Sequence, residues 1–422
     1  MKSEVVRVGI FDQIVSGGGV RLFTTKLLEE FSRIAEGRWR FHLMWPLYDS
    51  SNHYLPPLRL PNVSFERINT GAVSRFRNSI IPALNRVGDN RALSLKSRDG
   101  IKSYEQKLCE EEQRKLRLGD GRGLQWLEKR MDAFDLLYMP YPYLTLPGNE
   151  DWRPRKPLVI TLHDLAHELT DAWGEVTTTI QHEVRRWTQI SDLVIFSSDF
   201  VMRRAQEIYA LPPTRARRIY LSPDRRGESI RQSDVLRRYG LTEGYVFTLG
   251  WAAKHKGVET LIEGFALFRE KSDLNVPLVF AGPSTEHLSS GDKHDLKIGE
   301  DLFALGYVRD EDIAALYRGA SLVVTASTSE AGFNTMIFDA MNMGVPLLCS
   351  NIPPFVERLG ADDSLALLFD PHSPQSLCDA LLKHFGDAER VKLRVGNAKR
   401  FIASRTLADV GRDYLKAFES VL

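Results

Sequence analysis

The sequence predicts an α/β protein made of two doubly wound parallel-sheet units, and three observations lead there. Short apolar runs alternate with amphipathic runs along most of the chain, the order that gives a parallel sheet covered by helices on both faces. The alternation stops in a polar run that ends near Gly244 and then starts afresh. A length of 422 residues exceeds what one ordinary core serves and suits two units of roughly 200 residues each.

Composition narrows the functional classes. The net charge is +1, so the total gives no preference for nucleic acid or another polyanion. Cys109, Cys349 and Cys378 show neither metal-ligand spacing nor an even framework, which suits a reducing compartment. The first residues, Met1 to Ile10, carry no long apolar stretch of the secretory type, and no window approaches the roughly 18 apolar residues needed to span a bilayer. The expectation is a cytoplasmic chain whose membrane contact, if any, is peripheral and on the cytoplasmic side.

The first unit opens with the apolar run Val5 to Phe11, which reads as a strand. Ser16-Gly17-Gly18-Gly19 follows, then an amphipathic run through Leu22, Leu27, Leu28 and Phe31. A glycine turn between a first strand and a first helix lets backbone approach a phosphate, although this one is not the Gly-x-Gly-x-x-Gly fingerprint and also fits a plain flexible turn. Phe41 to Trp45 and Val63 to Glu66 read as the next strands. From about 72 to 130 the character changes, with basic residues from Arg75 to Arg117 scattered among Ile80, Leu84, Leu95 and Leu108. That stretch reads as a solvated helical insertion, the alternative being a surface for an anionic acceptor or an acidic membrane face.

Asp135 to Pro140 returns to strand, and Pro157 to Leu162 is the clearest strand of this half. It ends in His163-Asp164-Leu165-Ala166-His167, polar residues at the carboxyl end of a parallel strand, where ligand crevices lie. Two histidines and an aspartate hint at a metal, but no further ligands accompany them. Leu193 to Ser198 leads into a serine-capped helix through Val201 and Ala205. Arg218 to Asp224 closes the first domain, and the polar run to Gly244 reads as a linker.

The second unit begins with the strand Tyr245 to Gly250. The turn Trp251-Ala252-Ala253-Lys254-His255-Lys256-Gly257 and a helix through Leu261, Ile262, Phe265 and Phe268 follow. A lysine in such a turn is by default solvated, yet one at a strand's carboxyl end also neutralises a diphosphate leaving group. Val279 to Pro283 and Leu305 to Val308 read as the next strands with their turns, Asp310 to Tyr317 as a helix and Ser321 to Thr325 as a strand. The richest stretch comes next, Ser327 to Pro346. A small-residue loop leads to a helix that begins near Thr335 and stops at Gly344-Val345-Pro346, before the strand Leu347 to Ser350. Such a loop offers free N–H groups and a helix's positive end to phosphate. Asp339, about one turn into the helix, either complements the dipole or accepts hydrogen bonds from a pair of ribose hydroxyls.

This stretch resembles the donor-site segment of retaining glycosyltransferases of family 4. There, a Glu, a Gly-Phe-Gly-like loop, a second Glu and Gly-x-Pro follow in that order. Asp339-Ala340-Met341-Asn342-Met343-Gly344-Val345-Pro346 matches the second half closely. The first half departs: seven residues separate the two family carboxylates, whereas Glu330 and Asp339 enclose eight, and the strict first position is Ala331. Gly250 with Lys256-Gly257 matches the family's glycine-to-lysine turn, with Trp251 where an arginine is common, and His163-Asp164-Leu165 resembles its cleft histidine element.

The resemblance implies the GT-B architecture, two facing Rossmann-like domains with the active site between them. Residues 1–224 would form the acceptor side, 245–404 the donor domain, and 405–422 a helix crossing back to the first domain. It implies transfer of a hexosyl group, with retention, from a GDP- or UDP-linked sugar such as GDP-mannose to an acceptor hydroxyl, as in bacterial-type polysaccharide or glycoconjugate biosynthesis; the expected partner is a glycan or lipid-linked acceptor, with lipid-linked glycan, growing polysaccharide and small molecule all open. His163, Lys256 and Glu330 would be the catalytic residues. Gly18, Gly19, Gly250, Lys254, Lys256, Gly332, Phe333, Asn334 and Asp339 would hold the donor. No metal or cofactor beyond the nucleotide-sugar co-substrate is implied, and no Asp-x-Asp motif appears in a plausible donor loop. Two alternatives stay open, a catalytically degenerate nucleotide-sugar-binding subunit and an epimerase of the same fold.

Overall fold

The computed structural model describes residues 5–11, 19–35, 37–45, 60–67, 129–142, 153–169, 177–222, 231–250, 252–289, 296–330 and 334–422. The basic insertion at 72–130 therefore falls almost wholly outside the described residues.

Two parallel sheets organise the chain. The first holds β1 (Val6–Phe11), β2 (Trp39–Trp45), β3 (Val63–Arg67), β4 (Leu136–Met139), β5 (Leu158–Leu162), β6 (Leu193–Phe196) and β7 (Ala216–Arg218), in the order β3-β2-β1-β4-β5-β6-β7. The second holds β8 (Tyr245–Leu249), β9 (Leu278–Ala281), β10 (Leu302–Ala304), β11 (Ala320–Thr325), β12 (Leu347–Ser350) and β13 (Leu367–Phe369), in the order β10-β9-β8-β11-β12-β13. Every pairing is parallel. β4, β5 and β6 are buried at each position, which is why they read as continuous apolar runs rather than alternating ones. The α/β class and the GT-B architecture are as the sequence predicts.

The helices are α1 (Gly19–Ile34), α2 (Ala166–Leu169), α3 (Thr177–Ile190), α4 (Asp199–Tyr209), α5 (Gln232–Arg238), α6 (Val258–Lys271), α7 (Asp310–Gly319), α8 (Thr335–Met343), α9 (Pro353–Leu359), α10 (Pro374–Gly386), α11 (Ala388–Ala403) and α12 (Leu407–Glu419). One face of the first sheet packs on α1 and α12, where Phe31, Phe41, Tyr414 and Phe418 meet. The other face packs on α3 and α4 through Val184, Trp187, Val201 and Ala205. The last helix is thus part of the first domain's core. A hydroxyl chain ties it down, since Thr161 Oγ1 lies 3.2 Å from Tyr414 Oη and 2.9 Å from Tyr138 Oη. Buried hydroxyls need such partners.

Two local readings are corrected. The polar run up to Gly244 is not all linker, because α5 buries Val235 and Leu236 in the second domain's core and Arg238 pairs with the fully buried Asp312 at 2.6 Å. Only two apolar residues mark that helix, too few to show a period. Leu305 to Val308 is not a strand either; the strand is β10, one step earlier, and Leu305 to Val308 is the loop at its carboxyl end.

The domains are joined through Glu357 on α9. Its Oε1 accepts from the Asp199 N–H at 2.7 Å and from the Tyr220 hydroxyl at 2.8 Å, and its Oε2 accepts from the Phe200 N–H at 2.7 Å. These are first-turn amides of α4, which have no partner within their own helix. The Tyr220 ring lies between the guanidinium groups of Arg218, at 3.9 Å, and Arg358, at 4.2 Å. Glu357→Ala strips three donors of their charged acceptor and should cost about 2 kcal/mol of stability. Urea unfolding measures it, and an unmoved midpoint would show that the joint is held elsewhere.

Candidate active site

Open parallel sheets bind ligands outside the strands' carboxyl ends, where the strand order reverses. In the second sheet that point lies between β8 and β11. The turn after β8 and the loop after β11 are the two segments that meet there. They are fastened by backbone: the Thr328 N–H donates to the His255 carbonyl at 2.8 Å. Gly257 makes the approach possible. It sits at φ +62°, and a Cβ there would run into the Ala326 carbonyl oxygen. A second close approach lies beside it, where a Cβ on Gly282, at φ +124°, would strike the Gly250 carbonyl. Gly250 itself, at φ +152°, is exposed at the end of β8.

The polar groups this brings together form one cluster. Lys256 Nζ lies 2.5 Å from Glu330 Oε1. The same oxygen accepts from Ser327 Oγ at 2.6 Å and from Asn334 Nδ2 at 2.9 Å. Thus Glu330, although one position early relative to the family pattern, does reach the lysine. Lys254 is exposed on the same turn. His255 is half-buried, and its pKa is lowered first by burial and then by the neighbouring Lys256 charge, against the pull of Glu330 and of Asp164. Asp164 belongs to the first domain, so the His163-Asp164 loop lies near enough to the lysine turn to act on its charge.

Behind the cluster, α8 begins at Asn334, whose Oδ1 accepts from the Met336 N–H at 2.9 Å. Its positive end is directed at the same region. Asp339 lies just over one turn in and is 5% exposed. Met336 Sδ packs against the Leu249 N–H at 3.1 Å, holding α8 against the end of β8.

From the first domain comes His163, 4% exposed at the carboxyl end of β5. Its ring meets Phe23 edge-on at 5.5 Å and stacks with Tyr141 at 6.2 Å. Burial lowers its pKa to about 4, so the imidazole is neutral near pH 7. Among the described residues its buried Nε2 has no hydrogen-bond partner. The Tyr141 hydroxyl also donates to Asp164 Oδ1 at 3.3 Å. His167 is different. It is fully buried, with Nε2 2.9 Å from the Tyr209 hydroxyl, which also donates to Glu168 at 3.0 Å. That arrangement is a packing network between α2 and α4.

Gly18, Gly332 and Phe333 lie outside the described residues, and Gly19 is the first residue of α1. Among the described residues no group of three or more His, Cys, Asp or Glu is placed to hold a metal ion. Among the same residues no helix is long and apolar enough to cross a membrane. Sequence reasoning does not single out Ser327 or Tyr141 as site residues, and it places Asn334 among the donor-holding residues without a role for its side chain. An asparagine just before a helix is an N-cap signal, which could have singled out Asn334. Nothing local marks Tyr141.

Residues 237–400 match the family of glycosyl transferases group 1. The match covers the lysine turn, Glu330, α8 and Asp339, that is, the second domain. The chain is 29% identical over 157 residues to O-antigen chain mannosyltransferase B of Escherichia coli, an alignment spanning 36% of this chain and 40% of that protein. It is 29% identical over 202 residues to mannosylfructose-phosphate synthase of Agrobacterium fabrum, spanning 46% and 43%. The chain therefore spans less than half the length of these curated relatives. Among solved structures, Anabaena Alr3699/HepE in complex with UDP superposes with a TM-score of 0.65 at 15% identity, over 98% of this chain and 100% of that one. That likeness establishes the fold.

Gly257→Ala should cost about 2 kcal/mol or more, because a Cβ is both strained at positive φ and blocked by the Ala326 carbonyl. Thermal unfolding checks this, and wild-type stability would mean that the lysine turn is not held against the β11 loop.

Proposed function

We propose that the chain is a glycosyltransferase that moves a hexosyl group, with retention, from a nucleoside-diphosphate sugar to an acceptor hydroxyl. The observation that carries the reading is the Lys256–Glu330 pair, held at the strand-order reversal of the second sheet beside the start of α8. A diphosphate leaving group needs positive charge where it departs, and both the Lys256 ammonium and the α8 N-terminus supply it there. Lys254, exposed on the same turn, would serve the phosphates as a second cation. Asp339, buried one turn in, would accept from the ribose hydroxyls. Backbone around Gly332 to Asn334 would hold sugar and phosphate. Glu330 would bind a sugar hydroxyl, and His163, neutral and with Nε2 unpartnered among the described residues, another.

In the reaction the bond from the anomeric carbon to the diphosphate breaks and its electron pair leaves with the diphosphate. The acceptor oxygen takes the carbon, and its proton passes to the departing phosphate. Charge neutralisation by Lys256 and helix dipole removes the need for a metal ion, and no other cofactor is required. The similarity to a mannosyltransferase and a mannosylfructose-phosphate synthase favours a mannosyl group, whereas the superposed Anabaena protein holds UDP, so GDP and UDP are both donors to test. The acceptor is a glycan or lipid-linked glycan, met at the cytoplasmic side.

A thermal-shift panel with UDP, GDP, ADP, CMP and dTDP tests the site first. A ligand that binds only the folded state at 100 times its dissociation constant adds about 2.7 kcal/mol of stability. One diphosphate should raise the midpoint clearly, and no shift with any of them would overturn the nucleotide site. With the corresponding nucleotide sugar, the wild-type protein should turn over donor and Lys256→Ala should lose about a hundredfold or more while still folding. Binding without turnover would instead identify a degenerate, sugar-nucleotide-binding subunit.

A further inference from the structure

We propose that Asn334 is a positioning residue that holds Glu330, and through it the Lys256 ammonium, in working geometry, offsetting the extra residue in the loop between Glu330 and Asp339. The inference rests on the nucleotide-sugar reading of the site and goes beyond it to a residue peculiar to this chain's loop.

The loop sets the problem. Glu330 lies one position farther from Asp339 than the resembling pattern places its first carboxylate, so the helix alone does not fix it. Asn334 also stands where a Gly-Phe-Gly-like loop would carry its second glycine, which has no side chain to offer. Here the side-chain amide is used at both ends. Oδ1 accepts from the Met336 N–H at 2.9 Å, and Nδ2 donates to Glu330 Oε1 at 2.9 Å. The first bond locks the amide to the start of α8, so the second is delivered from a fixed point on a rigid element.

The remaining geometry shows what is gained. Ser327 Oγ at 2.6 Å and Lys256 Nζ at 2.5 Å converge on that same Oε1. Among the described residues Oε2 accepts from none, and the Glu330 side chain keeps 11% exposure. Three donors thus pin one oxygen from three segments, the β8 turn, the β11 loop and the α8 N-cap, and leave the other for a ligand hydroxyl. Removing one of the three lets the carboxylate turn, and the lysine paired to it moves as well. Misplacement of about 1 Å in such a group costs turnover on the order of a hundredfold.

The test separates the cap from the link to Glu330. Asn334→Ser keeps an oxygen suited to the N-cap but has no N–H₂ to give Glu330; Asn334→Asp keeps the cap and sets a second carboxylate against the first. With the nucleotide sugar found by the panel, Asn334→Ser should lower kcat about tenfold and Asn334→Asp further, with KM little changed. In the Glu330→Ala background Asn334→Ser should change nothing more, the signature of two residues acting as one. Near-wild-type kcat, or the same fold-loss in both backgrounds, would overturn the proposal.

The same double-mutant cycle is read a second time as thermal unfolding of the ligand-free protein. Asn334→Ser should lower the midpoint by about 2 °C or more in the wild-type background and by less in Glu330→Ala. Equal shifts in the two backgrounds would overturn the link between Asn334 and Glu330 even in a protein that turns over no donor. Coupled shifts without nucleotide binding or turnover would leave the link standing and remove only the glycosyltransferase reading.

Discussion

The site depends on how closely the turn after β8 passes the loop after β11. That approach is set by backbone. Gly257 in a left-handed conformation lies under the Ala326 carbonyl, and the His255 carbonyl accepts from Thr328. Where the strand order reverses, the segments after two neighbouring strands lead to helices on opposite faces of the sheet, α6 after β8 and α8 after β11, and here a backbone hydrogen bond fastens them before they part. Once the two segments are closed, the charged side chains have little choice. Lys256 and Glu330 are brought into contact, and each satisfies a group that would otherwise be costly to desolvate.

The opposing wall is built by a different logic. His163 is not held by a charged partner but by rings, edge-on to Phe23 and stacked with Tyr141. Burial keeps it uncharged. A neutral imidazole suits the recognition of hydroxyls and avoids repelling the cationic face across the cleft. Phe23 also touches Tyr414 of α12, at 6.1 Å, so the last helix of the chain backs the histidine at one remove. The joint through Glu357, Tyr220 and Arg358 ties α9 of the second domain to the first.

Much of this was legible from residue order. The strand and helix alternation is a statement about where apolar side chains must go, and buried parallel strands such as β5 and β11 declare themselves because both of their faces are covered. Where burial is partial the signal fails. Helix α5 shows only Val235 and Leu236 to the core and so reads as linker, while the apolar residues after β10 read as a strand one step downstream of the real one. The site was legible where chemistry is local: a lysine before a glycine turn, or a carboxylate one turn into a helix.

By itself the sequence determined the class of fold, the positions of its strand-to-helix turns and the presence of Lys256, Glu330, Asp339 and His163 at strand or helix ends, because periodicity and turn chemistry are properties of neighbouring residues. The tertiary structure alone decided which of them meet. Lys256 and Glu330 are 74 positions apart, and the hydroxyl of Tyr141 reaches Asp164 across 23. It also showed that an eight-residue spacing still delivers Glu330 to the lysine, since Ser327 and Asn334 donate to the same Glu330 oxygen that the lysine meets. Those contacts arise from strand order and close backbone approach, and neither is written in any one stretch of the chain.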